Sequence, residues 1–383
     1  MTVPANPFPS LSKLEKESNA SWPSFATCVS TTHEAEMVLK AAIRDEAKKG
    51  SMTANRVLDA DSSLVLFGSF ARHEMLGGSD CDWTLLIDGS AKNSHASTAR
   101  LIERAIKAAD GKGLHAPGSS GTFGNLCFSH DLVHRIGGTE DSNVNLTRRI
   151  LMLLESRPVS LSASDSADPI WSGVLNCILE RYFEEDAHFD PTGPRKVPRF
   201  LLNDLTRYWR TIGVDYASKY RDQGGQKWAL RNAKLRLSRK LLFASGLAFC
   251  FRCQIDPPDP TSGVLFEDSS SHPFIQAAAK FAGTPPLEVL AQFIDSCVKD
   301  ETKQKLVVGK IFGAYDAWLT FLDDAEKRKR LEDLSHHEAD TDLVFQEVRD
   351  IGKEFASGLK LLFFDRENDE DPIANLSLEY VGF

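Results

Sequence analysis

The chain has 383 residues, 45 Lys and Arg against 54 Asp and Glu, a net charge of −9 and 42% hydrophobic residues. At about 150 residues per domain this length suggests two domains or three small ones, and the apolar content excludes wholesale disorder. An acidic charge spread evenly over the surface would also exclude a dedicated nucleic-acid binder.

Seven cysteines (Cys28, Cys81, Cys127, Cys177, Cys250, Cys253 and Cys297) are odd in number and scattered, so a disulfide framework is not expected. Cys250-x-x-Cys253 lacks a second pair or a His cluster and reads as the end of an apolar helix. The N-terminus lacks the basic start and apolar core of a signal peptide. The most apolar stretch, 241–251, falls short of the roughly 20 residues a membrane span needs. A soluble, cytoplasmic protein without a membrane partner is expected.

Residues 1–30 are rich in Pro and Ser and predict an irregular arm. Thr31-Thr32-His33-Glu34 then opens a helix carrying Met37, Leu39, Ala41 and Ile43, which Lys48-Lys49-Gly50 closes. From residue 62 strands and helices alternate. Strands are predicted at 63–67, 82–87 and 125–133, and a helix at 97–109. The span 111–124 holds five glycines and must be a loop. Beyond 143 only helical patterns follow, at 143–156, 168–187, 198–221, 226–252, 286–299, 302–331 and 338–362. Breaks at 156–169 and 254–273 read as a linker and a loop. The order gives an α+β domain at 31–157, with a small mixed sheet flanked by helices. An all-α helical domain at 165–383 follows it, with a loop at 254–273.

The informative stretch is LVLFGSFARHEMLGGSDCDWTLLID, from Leu64 to Asp88. A strand ends in Gly68-Ser69, and a turn delivers Asp80 and Asp82 at the start of the next strand. Side chains two apart on a strand share a face, so the two carboxylates converge while Cys81 and Trp83 face away. Like charges so close call for a cation, and an all-oxygen donor set suits Mg²⁺ or Mn²⁺. Gly68 lets the backbone approach a phosphate, Ser69 can donate its hydroxyl, and N–H groups at a helix start favour anions. These parts compose a metal–triphosphate site.

The same stretch resembles the DNA polymerase β-like nucleotidyltransferase superfamily. Its pattern is a strand, Gly-[Gly/Ser], about ten residues, then [Asp/Glu]-x-[Asp/Glu] on the next strand. GSFARHEM, with Arg72 and Glu74, is most similar to the branch of nitrogen-regulatory uridylyltransferases, which carry Gly-Gly-Tyr-Gly-Arg-Gly-Glu there. NLTRRILMLLESR (145–157) looks like the helix that follows the catalytic sheet in that branch. The resemblance is specific over 65–90, weak over 125–160 and lost beyond, and 383 residues are too few for the additional domains of full-length uridylyltransferases. It implies a nucleotidyltransferase domain and a metal-dependent, ATP- or other NTP-binding enzyme of adenylyl- or uridylyltransferase type. A third carboxylate on a later strand is also implied. Asp131, sharing a strand face with Ser129 and Val133, is the first candidate, and Glu140 and Asp141 are the alternatives. Asp131 could instead pair with Arg135. Arg72 could clamp a phosphate or form an ion pair with Glu74.

The charge is not spread evenly. Between 195 and 240 stand thirteen Lys and Arg against Asp204, Asp215 and Asp222, so this segment is +10 and the remainder of the chain −19. Lys227, Arg231 and Lys234 recur at helical spacing and line one face, with Arg207, Arg210, Tyr208, Trp209 and Tyr216 on the preceding helix. This surface would hold the NTP triphosphate or a strand of RNA. The alternative is a solvated face paired with acids, and the aromatics fit a core better than a stacking platform. The combined expectation is an Mg²⁺–NTP in a cleft between the two domains. An NMP moves to an acceptor hydroxyl, foremost a protein side chain, with release of pyrophosphate. The alternatives are a nucleotide or RNA acceptor, as in tRNA modification or cyclic-oligonucleotide synthesis, and a catalytically inactive nucleotide-binding regulator.

Overall fold

A computed structural model describes residues 6–50, 57–117, 122–161, 168–189, 197–222, 225–256, 278, 281–365 and 371–381. The expected loop at 254–273 lies mostly outside the described residues. Two compact units are distinguished. The first is built mainly on Cys28–Glu185, the second on Asn6–Thr27, Asp186–Thr261 and Pro286–Phe383.

The first unit carries a four-stranded sheet of β1 (Ser62–Phe67), β2 (Trp83–Ile87), β3 (Asn125–Phe128) and β4 (Ser156–Pro158) in the order β3-β2-β1-β4. β1 runs antiparallel to β2 and β4, and β2 runs parallel to β3, so the sheet is mixed as expected. Every residue of β1 and β2 is buried, which requires cover on both faces and explains why these strands read as apolar runs without alternation. On one face Leu64, Leu66, Trp83 and Leu85 pack with Leu39 and Ile43 of α2 (Pro23–Lys49) and with Ile102 and Ile106 of α4 (Asn93–Ala108). Between the first two strands lies the single turn α3 (Gly68–Ala71).

Three local expectations are corrected. The arm at 1–30 holds α1 (Pro9–Glu17) and the first turns of α2. Their prolines stand at helix starts, where no backbone N–H is lost, rather than marking irregular chain. In the second unit, the N–H groups of Ser10 and Leu11 donate to the buried Glu288 carboxylate at 3.0–3.2 Å, which anchors α1. The third strand stops at Phe128, and 129–133 forms the short helix α5 (Ser129–Val133). β4 falls where a helix end and a linker are expected, because three residues carry no periodicity. α6 (Asn143–Leu154) precedes it, and α7 (Pro169–Phe189) follows.

The second unit is helical among its described residues, as expected. α8 (Arg199–Asp222) is followed by α9 (Trp228–Lys234), a π-helical turn at Leu235–Arg239 and α10 (Lys240–Ile255). Then come α11 (Pro286–Cys297), α12 (Glu301–Val308), a second π turn at Gly309–Gly313, α13 (Ala314–Asp323), α14 (Ala325–Asp333), α15 (Leu343–Phe364) and α16 (Pro372–Tyr380). Its core is aromatic: Phe251, Phe293, Phe312, Tyr315, Trp318 and Phe355 are buried. The expected single helix at 302–331 is broken at Asp324, whose extended backbone and carboxylate cap Glu326 and Lys327. Among the described residues no helix is long and apolar enough to cross a membrane.

Candidate nucleotide and metal site

The turn from β1 into α3 places the two signature elements against each other. Gly68 has φ +64°, in the left-handed region that favours glycine, and a Cβ added there would lie 3.0 Å from Asp82 Oδ2. A side chain at Gly68 would therefore crowd the Asp82 carboxylate as well as strain the backbone. The N–H of Phe67 donates to the Asp82 carbonyl at 2.9 Å, which fixes the approach of the two chains. β2 begins one residue after Asp82. The alternation nevertheless runs as expected, with Asp80 exposed, Cys81 buried, Asp82 half-buried and Trp83 buried. Cys81 N–H donates to the carbonyl of His115, in the glycine-rich stretch, at 2.8 Å. Burial, and after it the charges of Asp82 and Asp80, push the Cys81 thiol far above its ordinary range.

Ser69 turns its hydroxyl to the thioether of Met75 at 3.4 Å, a weak contact that rotation of the hydroxyl would release at little cost. Arg72 takes the ion-pair alternative. It is buried, donates from Nε to Glu74 at 2.8 Å and pairs through Nη1 with Glu155. Its charge meets two buried carboxylates that tie the turn to the entry of β4.

Each of the three candidates for a third carboxylate is met by an arginine. In the parallel register Thr84 faces Asn125 and Ile87 faces Phe128. Asp131, beyond Phe128, therefore lies past the end of β2 opposite to Asp82, about 16 Å along the strand at roughly 3.3 Å per residue. It sits on α5 and pairs with Arg135 at 2.9 Å, as Glu140 also does. Asp141 is buried against Arg149 at 2.8 Å. A strand continuing through 133 would give Asp131 the shared face; the helix removes it.

The basic residues expected at the triphosphate lie in the second unit. α9 starts at Trp228, and Lys227 precedes it with φ +55°, its N–H on the Glu332 carbonyl and its Nζ 3.8 Å from the Glu332 carboxylate. Lys227 thus leaves the helical face it was expected to share. Arg231 is half-buried and Lys234 exposed. Tyr208 belongs to the core, as the aromatic spacing suggests.

A second cluster is not legible in the sequence. Asp59, Asp61 and His95 hold potential ligand atoms within 4.8 Å of one another, close enough for one metal ion. It lies by the start of β1, the end of the sheet away from Asp82. Asp59-x-Asp61 before a strand is its only sequence signal, since His95 comes from α4. His95 Nδ1 accepts the Lys92 N–H at 3.3 Å, which leaves the ring proton on Nε2, directed at Asp61 Oδ1 at 3.2 Å. Lys92 Nζ also lies 2.6 Å from Asp61, and Ser94 donates to Asp59 at 2.6 Å. With a proton and an ammonium already among these carboxylates, the cluster is a satisfied cap on α4, and an ion there would have to displace both.

No family model, no curated protein and no solved structure matches this chain.

Proposed function

We propose that the first unit is a metal-dependent nucleotidyltransferase site that takes an NTP, ATP among them. An NMP passes to an acceptor hydroxyl, foremost on a protein side chain, in the cytoplasm. The observation that carries this reading is the seat of Asp82 against Gly68, with Asp80 exposed two residues before it. Two carboxylates so close in sequence beside a backbone stripped of its side chain are hard oxygen donors of the kind that fit Mg²⁺ or Mn²⁺. Asp80 and Asp82 would hold the cation, which when bound neutralises charge on the triphosphate. Gly68 admits a phosphate to the backbone, and Ser69 exchanges its contact with Met75 for a phosphate oxygen. The acceptor oxygen attacks the α-phosphorus in line. Its bond to phosphorus forms as the bond to the bridging oxygen breaks, and pyrophosphate leaves with that electron pair.

A second reading, a nucleotide-binding regulator without transfer, is favoured by Asn125. It stands on β3 beside the face of Asp82, where the superfamily's third carboxylate is expected.

Incubation with α-labelled NTPs and Mg²⁺, alone and with lysate or tRNA, separates these readings. Label in protein supports the first, and label in RNA or a small product moves the acceptor to nucleic acid or nucleotide. Nucleotide binding without label supports the regulator. Asp80→Ala and Asp82→Ala should each abolish metal-dependent binding and any transfer; binding that persists unchanged in both overturns the site.

A further inference from the structure

Arg148 is placed on the face of the sheet that carries Asp82. Residues two apart on β2 share that face, so Thr84 joins Asp82, and the register adds Asn125 opposite Thr84 and Cys127 opposite Leu86. Arg148, on α6, reaches over this part of β3. Its Nη2 donates to Asn125 Oδ1 at 2.6 Å and to the Thr122 carbonyl at 3.1 Å, and its Nε donates to the same carbonyl at 3.2 Å. It also lies near enough to Cys127 to draw that thiol down, against the burial and the Asp131 charge that lift it to about 11. Thr122 leads into Phe123, whose ring packs at 5.0 Å on Phe67, the residue before Gly68. The guanidinium and the Gly68 turn thus belong to one neighbourhood.

Its charge is what sets Arg148 apart. Among the described residues of the first unit, the other arginines that are buried or half-buried meet carboxylates: Arg72 with Glu74 and Glu155, Arg135 with Asp131 and Glu140, Arg149 with Asp141, Arg157 with Glu36. Half-buried Arg148 is held by neutral groups alone and forms no ion pair among the described residues. A partly desolvated guanidinium is costly without an anion to meet it, and its planar fork suits phosphate oxygens. Beside it the Thr84 hydroxyl is buried with no hydrogen-bond partner, a second polar group on this face that the protein alone leaves unsatisfied.

We propose that Arg148 binds a phosphate of the nucleotide and, with Asn125, occupies the place where a third metal-holding carboxylate would stand. The site then takes one divalent cation per nucleotide, held by Asp80 and Asp82, with the guanidinium as its second positive charge. This rests on the reading of Asp80 and Asp82 as a nucleotide–metal site.

The test titrates the full chain with Mn²⁺ and an α,β-methylene NTP analogue, following bound Mn²⁺ by electron paramagnetic resonance and nucleotide by calorimetry. One Mn²⁺ per bound nucleotide is expected. Arg148→Ala should weaken nucleotide binding about tenfold or more, the loss of one charge-assisted hydrogen bond. It should leave Mn²⁺ binding without nucleotide as in the wild type. Arg148→Gln, which keeps an amide donor for Thr122 and Asn125, should show the same loss and serves if the alanine variant unfolds. Asp82→Ala should lose Mn²⁺ even without nucleotide, and with it the metal-dependent binding of nucleotide. Two Mn²⁺ per nucleotide, or unchanged nucleotide affinity in Arg148→Gln, overturns the proposal while the site stands. A wild-type chain that binds no nucleotide overturns the reading of the site and this proposal with it.

Discussion

His73 follows the α3 turn with φ +58°, a conformation costly for most residues and easier for His, Asn or Asp. Burial, then the Arg157 charge, lowers its pKa from 6.5 to about 4, against the opposing pull of Glu36. The unfolded chain therefore binds a proton at a pH where the fold keeps His73 neutral. Stability is complete above pH 6.5 and drains away as pH falls towards 4. Burial alone would raise the pKa of Glu36, but Arg157 and Lys40 outweigh it and bring it to about 2, so its contribution is present above pH 4.5 and lost as pH falls through 2. His73→Asn, which tolerates the same backbone, should flatten the melting temperature between pH 6.5 and 4 and leave the loss below 4.5 intact. A melting curve at each pH reads both. Arg149, fully buried on Asp141 and the Tyr182 hydroxyl, offers a sharper case. Arg149→Met strands the Asp141 charge and should cost about 3–5 kcal/mol in denaturant unfolding. None of these pairings is visible in the sequence. The alternating exposure of Asp80 to Trp83 is visible there, because alternation needs only neighbours, whereas partners such as Arg157 and Glu36 are joined by the fold.

The β1–α3 element is the most legible part of the chain, since an apolar run, a Gly-Ser and a tight turn each act over a few residues. Gly68→Ala tests the same geometry from the backbone side. The new Cβ meets both the left-handed φ and the Asp82 carboxylate, so the variant should lose about 1 kcal/mol or more of stability and weaken metal binding together. Stability lost with unchanged Mn²⁺ affinity would show that the glycine serves the turn alone. Less legible are the elements whose limits are set from outside themselves. β3 ends where its partner β2 ends at Ile87, a fact of pairing that the run NLCFSHDLV does not carry, and the place of Asp131 depends on it. Pro and Ser at 1–30 suggest breakers when weighed by type alone. At the first helical position proline costs nothing, and Pro9 and Pro23 occupy such positions.

Across the molecule the −9 of the chain is the difference between a +10 segment and a −19 remainder. Part of that net charge is met within its own unit, as Lys227 on Glu332 shows. If RNA is the acceptor, affinity should fall steeply with salt. Lys227→Ala with Arg231→Ala and Lys234→Ala should then flatten that slope by about one unit for each phosphate no longer neutralised. An unchanged slope leaves those residues as a solvated face. The helical half is legible as a class, because 3.6-residue periodicity survives over long spans. Its two π turns are not, since one inserted residue leaves the local pattern intact. Finally, the Cys81 thiol, sealed beneath the two carboxylates, is a clock wound into the first unit. Cys177 is exposed and should react at once with a maleimide, whereas Cys81 can react only in the rare molecules whose sheet has come apart. The slow labelling rate at Cys81, read by mass spectrometry, then counts those openings. A nucleotide–metal complex bound above it should slow that rate by the factor 1 + [L]/Kd.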